Sequence, residues 1–224
     1  MSDVIDVLAF DRDGALEETA EAAGVSRGDM LRLAAVGGGA LLGSATFLGA
    51  LAGPAGAVST ATAGDIAILN YALTLEYLEE AFYSDVQSNK ILKGRMATFA
   101  EVAGRDEAQH RAFLVKALGS KAIKKPTFAF GSATLSSGTF AKTAIALEDT
   151  GVSAYAGQGP LIKDKKILAA ALSVHSVEAR HAAWIRALVN GPGRQGAPAP
   201  APFDPSRNKT QVLAIVKGTN FITG

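Results

Sequence analysis

The segment RDEAQHRAFLVKAL, residues 105–118, places Glu107 three residues before His110 in a run rich in alanine and leucine. The recurrence of its apolar residues predicts a helix. Residues three apart lie on one helical face, with Cβ atoms about 5–6 Å apart. Glu107 and His110 can therefore direct a carboxylate and an imidazole to one point, in a chain that has only three histidines.

The same pair recurs in the segment SVEARHAAWIRALV, residues 176–189, where Glu178 precedes His181 by three. Each Glu-x-x-His pair also follows a predicted helix that carries a glutamate seven residues before a tyrosine. These earlier residues are Glu76 with Tyr83 and Glu148 with Tyr155. We interpret the chain as one two-helix unit that occurs twice.

Helical periodicity predicts four long helices, at residues 65–86, 91–118, 139–156 and 163–190. Asp65 follows a glycine and is predicted as the N-cap of the first helix. Only the connection between the second and third helices is long, and its Pro126, Gly131 and Gly138 predict an irregular crossover. This pattern predicts an all-α fold, a four-helix bundle with one long crossover between helices 2 and 3.

Composition divides the chain into an N-terminal region at 1–57, the bundle at 58–190, and a Pro/Ala-rich arm at 191–224 that closes with a short helix near 208–217. The first region has a net charge of −5 and the remainder +6. Lysines and arginines of the remainder are scattered, which favours a solvated surface, and no nucleic-acid motif is present. We therefore expect no nucleic-acid partner.

The N-terminal region contains an uncharged run from residue 33 to residue 64, with the small-residue pattern Ala55-Gly56-Ala57 within it. This pattern is typical of a cleaved export signal. The preceding SRGDMLR, residues 26–32, resembles a twin-arginine signal in which Gly28 replaces the second arginine. General secretion and a retained anchor are the alternatives, and an uncleaved chain would associate with a membrane through residues 33–57. We expect an exported protein, in the cell envelope or outside it.

The absence of cysteine excludes disulfides and thiolate metal sites, so any metal ion must be held by carboxylates and imidazoles. Two facing Glu-x-x-His helices, with one glutamate from each of the other two helices, supply four carboxylates and two imidazoles. Four carboxylates balance two divalent cations, which permits burial. Glu79 and Glu80 compete with Glu76 for the first-helix position, but only Glu76 keeps the seven-residue step to a tyrosine.

Four stretches carry a family resemblance: LNYALTLEYLEEAFY (69–83), EAQH (107–110), ALEDTGVSAY (146–155) and EARH (178–181). They resemble the ferritin-like superfamily, specifically exported bacterial ferritin-like proteins related to plant desiccation-related proteins. The resemblance implies a dinuclear metal centre bound by Glu76, Glu107, His110, Glu148, Glu178 and His181. It also implies that Glu107 and Glu178 bridge the metal ions, while Glu76 and Glu148 are terminal ligands.

The expected cofactor is two iron ions, with two manganese ions as the alternative, because such ligands suit both. We expect oxidation of Fe(II) by O2 or H2O2, or detoxification of peroxide, with metal ions and these oxidants as partners. The alternatives are a dimanganese catalase-like enzyme and a non-enzymatic stress or desiccation protein with a structural metal site. Tyr83 and Tyr155 are candidate catalytic residues, with ordinary core packing as the other interpretation. The sequence leaves homo-oligomer formation open.

Overall fold

The computed structural model describes residues 61–190 and 198–224 of the chain. The predicted export signal therefore lies outside the described residues, and export remains an expectation from sequence. Within the described residues, none of the helices combines the length and the hydropathy that a membrane crossing requires.

Four long helices form the bundle, and the all-α fold with a single long crossover is confirmed. They are α1 (Ala63–Asn89), α2 (Gly94–Leu118), α3 (Ser137–Gln158) and α4 (Lys165–Asn190). α1 packs chiefly on α2, and α3 packs chiefly on α4. The two-helix unit that repeats in the sequence is thus also the unit of closest packing.

The first helix begins at Ala63, so the prediction of Asp65 as its N-cap was wrong. Thr62 is the N-cap, and its side chain accepts a hydrogen bond from the backbone N–H of Asp65. The Asp65 carboxylate in turn accepts hydrogen bonds from the backbone N–H and the hydroxyl of Thr62. This reciprocal capping box satisfies two amide groups at the helix start, where a cap at residue 65 would satisfy fewer.

A buried group of aromatic rings fills the core beside the middle of the bundle. Phe82 stacks on Phe140 with ring centroids 5.5 Å apart, and Tyr83 meets Phe99 edge to face at 5.9 Å. All four side chains are fully buried. Their burial fixes the position of Tyr83, which lies next to the polar interior described below.

The crossover and the C-terminal segment pack together against the bundle. The crossover contains two short 3-10 turns, Gly119–Lys121 and Gly131–Thr134. Between them, Phe128 forms an isolated antiparallel bridge with Ile222. A fifth helix, α5 (Lys209–Thr219), buries Val212 and Val216 in the bundle core. The short helix predicted near 208–217 is therefore present, and it packs on the bundle.

Candidate metal centre

Each bundle helix buries one of the glutamates predicted as metal ligands. These residues are Glu76 of α1, Glu107 of α2, Glu148 of α3 and Glu178 of α4, and all four are fully buried. The two histidines of the Glu-x-x-His pairs point into the same space, with side chains 12 % exposed for His110 and 4 % for His181. The structure thus brings together all six residues predicted as metal ligands.

The six side chains form two overlapping groups of potential ligands. One group contains Glu76, Glu107, His110 and Glu178, and the other contains Glu107, Glu148, Glu178 and His181. Within each group, one ligand atom from every residue lies within 4.8 Å of the others. Glu107 and Glu178 belong to both groups, so each of them lies between two positions where a cation fits.

His110 is surrounded by carboxylates. Its Nδ1 atom lies 2.9 Å from Oε2 of Glu107, 3.2 Å from Oε1 of Glu178 and 3.3 Å from Oε2 of Glu76. Burial opposes a charge on this imidazole, but Glu107 and Glu76 outweigh burial and raise its pKa well above the usual value. The metal-free site therefore holds a proton where a cation would lie.

His181 is oriented by a contact on its outer side. Its Nε2 atom lies 3.3 Å from Oδ2 of Asp106, and its Nδ1 atom lies 3.0 Å from Oε1 of Glu107 and 3.5 Å from Oε2 of Glu148. When Nε2 donates its proton to Asp106, Nδ1 is left to bind a metal ion. Burial opposes a charge here too, but Asp106 and Glu107 outweigh it and raise the pKa of His181 to about 12 in the metal-free protein.

The two tyrosines cross between the repeated units. The Tyr83 hydroxyl of α1 donates to Oε1 of Glu148 on α3, and the Tyr155 hydroxyl of α3 donates to Oε1 of Glu76 on α1. Each tyrosine therefore fixes one carboxylate oxygen and leaves Oε2 of the same glutamate directed at the centre. Burial, followed by the adjacent glutamates, raises the pKa of both hydroxyls, so both remain protonated donors.

Several buried ligand atoms have no hydrogen-bond partner, which tests whether a metal centre fits. They are Oε2 of Glu76, Oε1 of Glu107, Oε2 of Glu148, both carboxylate oxygens of Glu178, and Nδ1 of His181. All of them except Oε2 of Glu178 lie in imidazole–carboxylate contacts of 3.0–3.5 Å that lack the alignment of a hydrogen bond, so the contacts only partly offset the cost of burying these polar atoms. All of these atoms are oxygen or imidazole nitrogen donors that converge on one region, so the residues fit two divalent cations.

The carboxylates repel each other in the absence of metal. Burial raises the pKa of Glu76 to about 7 and that of Glu178 well above its usual value. Burial would also raise the pKa of Glu107, but the two histidines outweigh this effect and hold it below the usual range. Protons thus partly replace the positive charge that two metal ions would bring.

The neighbouring polar residues take other positions. Glu80 pairs with Arg111 at 2.7 Å and with Lys125 at 3.2 Å, away from both ligand groups. Asp149 pairs with Arg186. Glu79 is 3 % exposed and lies outside both groups.

The contact between Asp106 and His181 was not predicted, because it joins α2 to α4 and depends on how the two units pack.

A comparison with protein families agrees with this geometry. A family model described as a ferritin-like domain matches residues 64–191, which is more than half of the chain and covers all six converging side chains. No curated protein matches the chain. The resemblance predicted from the four sequence stretches is confirmed at this level. The chain belongs to the ferritin-like domain family.

Proposed function

We propose that this protein binds two iron ions and oxidises Fe(II) with O2 or H2O2, consuming the oxidant. The observation that carries the proposal is the sharing of Glu107 and Glu178 by two four-residue ligand groups. A single cation would need only one of the two ligand groups. Two carboxylates shared by both groups are the arrangement found around a pair of cations a few ångströms apart. In this proposal Glu76 with His110 completes one position, and Glu148 with His181 completes the other.

Two bound Fe(II) ions would supply one electron each, which is enough to reduce H2O2 to two waters or O2 to peroxide when protons are also supplied. Four carboxylates and two neutral imidazoles balance the charge of two divalent ions. They also favour the higher positive charge of an oxidised pair, because carboxylates are hard anionic ligands.

The remaining residues position the ligands and limit access. Tyr83 and Tyr155 hold Glu148 and Glu76 by hydrogen bonds, so the carboxylates need little rearrangement when ions bind. The glutamates are fully buried, and His110 is the most exposed of the six residues. This arrangement suits a small oxidant that enters beside His110, and it disfavours a large organic substrate.

The proposal is tested by loading the protein anaerobically with two Fe(II) per chain, adding O2 or H2O2, and following the loss of Fe(II) with a ferrous chelator. We expect Glu107→Gln to slow the reaction at least about ten-fold, because changes even to the outer partners of metal ligands weaken sites by about 10–100-fold. Glu80→Gln is the control, since Glu80 is the same residue type on α1 but pairs with Arg111 and Lys125. Equal rates for Glu107→Gln and the wild type would contradict the proposal.

Metal analysis of protein purified from its native compartment distinguishes the iron centre from the dimanganese alternative. Iron that raises the melting temperature but is oxidised no faster than iron in buffer would indicate a structural metal site instead. Finding neither iron nor manganese above trace levels would contradict both enzyme proposals.

We also propose that the protein acts in the cell envelope or outside it, on the basis of the N-terminal sequence. Cell fractionation of the full chain, with the protein detected by an antibody, tests this proposal. A full-length chain confined to the cytoplasm would contradict it.

A further inference from the structure

One buried acidic residue beside the metal centre has no acidic counterpart in the second two-helix unit. Glu76 and Tyr83 in α1 each have an identical residue seventy-two positions later, in α3. The same step from Glu79 leads to Gly151, so an acidic side chain on α1 is matched by no side chain on α3. The first unit therefore contributes one more carboxylate to the interior than the second.

The space beside Gly151 is occupied by two carboxylates. A Cβ atom on Gly151 would lie 2.8 Å from Oε2 of Glu178 and 3.4 Å from Oε1 of Glu79. The first separation is shorter than real Cβ contacts, so an alanine would displace Glu178. The absence of a side chain at 151 thus allows a glutamate from α4 and a glutamate from α1 to approach the same point.

Glu79 is a buried carboxylate beside this point that has no basic partner. Its side chain is 97 % buried, and among the residues that the structure describes it makes neither a hydrogen bond nor an ion pair. Oε2 of Glu178, at the same point, is a buried oxygen without a hydrogen-bond partner. The residue after Glu79, Glu80, contrasts with it, because two basic side chains neutralise Glu80 at the surface.

We propose that Glu79 is a fifth carboxylate ligand of the centre. It lies just outside both ligand groups, and a rotation of its side chain brings it to one of the two divalent cations on the side left open by Gly151. This inference rests on the proposed function, in that it requires two bound metal ions. Because α3 offers no counterpart, the two cation positions are inequivalent, and one of them has an additional anionic ligand. One ion is therefore bound more tightly than it would be by the ligands that both two-helix units supply.

The test uses Mn(II) as the probe and the full chain freed of metal with a chelator. Free Mn(II) has a six-line electron paramagnetic resonance signal, so a titration gives the number of bound ions and their dissociation constants. We expect two ions per chain in the wild type. In Glu79→Gln, which keeps the shape of the side chain, we expect the affinity for one ion to fall at least about ten-fold and that for the other to change less than three-fold. In the matched control Glu80→Gln, we expect both dissociation constants to equal those of the wild type.

Two ions bound by Glu79→Gln with wild-type constants would overturn this inference while leaving the proposed function intact. Failure of the wild type to bind two ions would overturn the proposed function itself. Glu79→Asp, which retains the charge but shortens the side chain by one methylene, provides a second variant if Glu79→Gln does not fold. We expect it to show the same selective loss, and unchanged binding by a folded Glu79→Asp variant would also overturn the inference.

Discussion

Glu178 is the side chain on which the geometry of the centre depends most. Both of its oxygens are buried without a hydrogen-bond partner, it belongs to both ligand groups, and it occupies the space beside Gly151. A glycine within a helix is usually unfavourable relative to alanine by about 0.5–1 kcal/mol. At position 151, the glycine lowers helix stability but leaves space for the carboxylate of Glu178.

Gly151→Ala tests this role of the glycine. We expect weaker binding of both Mn(II) ions, by at least about ten-fold, because Glu178 is shared and its Oε2 atom must move away from the new methyl group. The metal-free variant is expected to unfold at or above the wild-type temperature, since alanine favours a helix. Gly138→Ala in the same helix is the control, because a Cβ there has no neighbour within 4 Å. Unchanged Mn(II) constants in Gly151→Ala would contradict the prediction.

Tyr155→Phe tests whether the tyrosines act by holding glutamates. Removal of the hydroxyl leaves Oε1 of Glu76 unpaired, so we expect metal affinity to fall by about 10–100-fold. Chemical denaturation of the metal-free protein is expected to show a loss of about 1–3 kcal/mol in the free energy of unfolding. Tyr71→Phe is the matched control, because Tyr71 is buried but its hydroxyl has no partner.

A redox role for Tyr155 gives a different result. If Tyr155 exchanges electrons with the centre, the rate of Fe(II) oxidation at saturating Fe(II) falls in Tyr155→Phe even after both metal positions are filled. If it only positions Glu76, the rate recovers when the metal concentration is raised.

At the scale of the helices, Asp65 links the start of α1 to the chain segment that leads into α4. Its Oδ1 atom accepts a hydrogen bond of 2.8 Å from the backbone N–H of Lys163, and Oδ2 accepts from Thr62. Burial alone would raise the pKa of Asp65, but hydrogen bonds from Lys163 and Thr62 outweigh burial and lower it. The link to Lys163 spans 98 residues, so the sequence around Asp65 predicts a cap and says nothing of this second contact.

Asp65→Asn is expected to reduce the free energy of unfolding by about 1–2 kcal/mol near neutral pH, in the range of lost helix caps. Because the pKa is lower in the folded than in the unfolded protein, the ionised group stabilises the fold above about pH 4. That contribution disappears as pH falls through the folded-state value. Denaturation of both proteins between pH 7 and pH 3 measures the difference, which is expected to shrink below about pH 4. Asp204→Asn, at an exposed residue, is the control, and a difference that grows on acidification would contradict the assignment.

At the scale of the whole molecule, the bundle and the six converging residues were predictable from sequence. Helical period and i, i+3 spacing are local properties, and the repeat supplied the pairing of Glu107 with Glu178. Glu79 and Gly151 were not assigned, because their proximity depends on the packing of α1 against α3. The packing of Val212 and Val216 on the bundle was missed for a similar reason: an isolated short helix does not specify the surface that it covers.

Metal removal tests the centre as a source of stability for the whole bundle. At a free Mn(II) concentration one hundred times the dissociation constant, each bound ion adds about 2.7 kcal/mol to the free energy of unfolding. For a domain of this size, we expect a rise of at least about 5 °C in the melting temperature, followed by calorimetry and reversed by a chelator. In the double variant Glu107→Gln/Glu178→Gln, the rise is expected to vanish because both shared carboxylates are gone. A metal-dependent rise that persists in this variant would place the bound ion elsewhere.

The hydrogen bonds of the two tyrosines connect formation of the site to the packing of the two helix units on each other. Tyr83 of the first two-helix unit holds Glu148 of the second, and Tyr155 of the second holds Glu76 of the first. Neither unit alone therefore contains a complete ligand group with its hydrogen bonds. Separation of the two units withdraws both hydrogen bonds and both shared carboxylates together. If two ions bind as proposed, partial opening would release both at once, so metal binding would report whether the two helix units are fully packed.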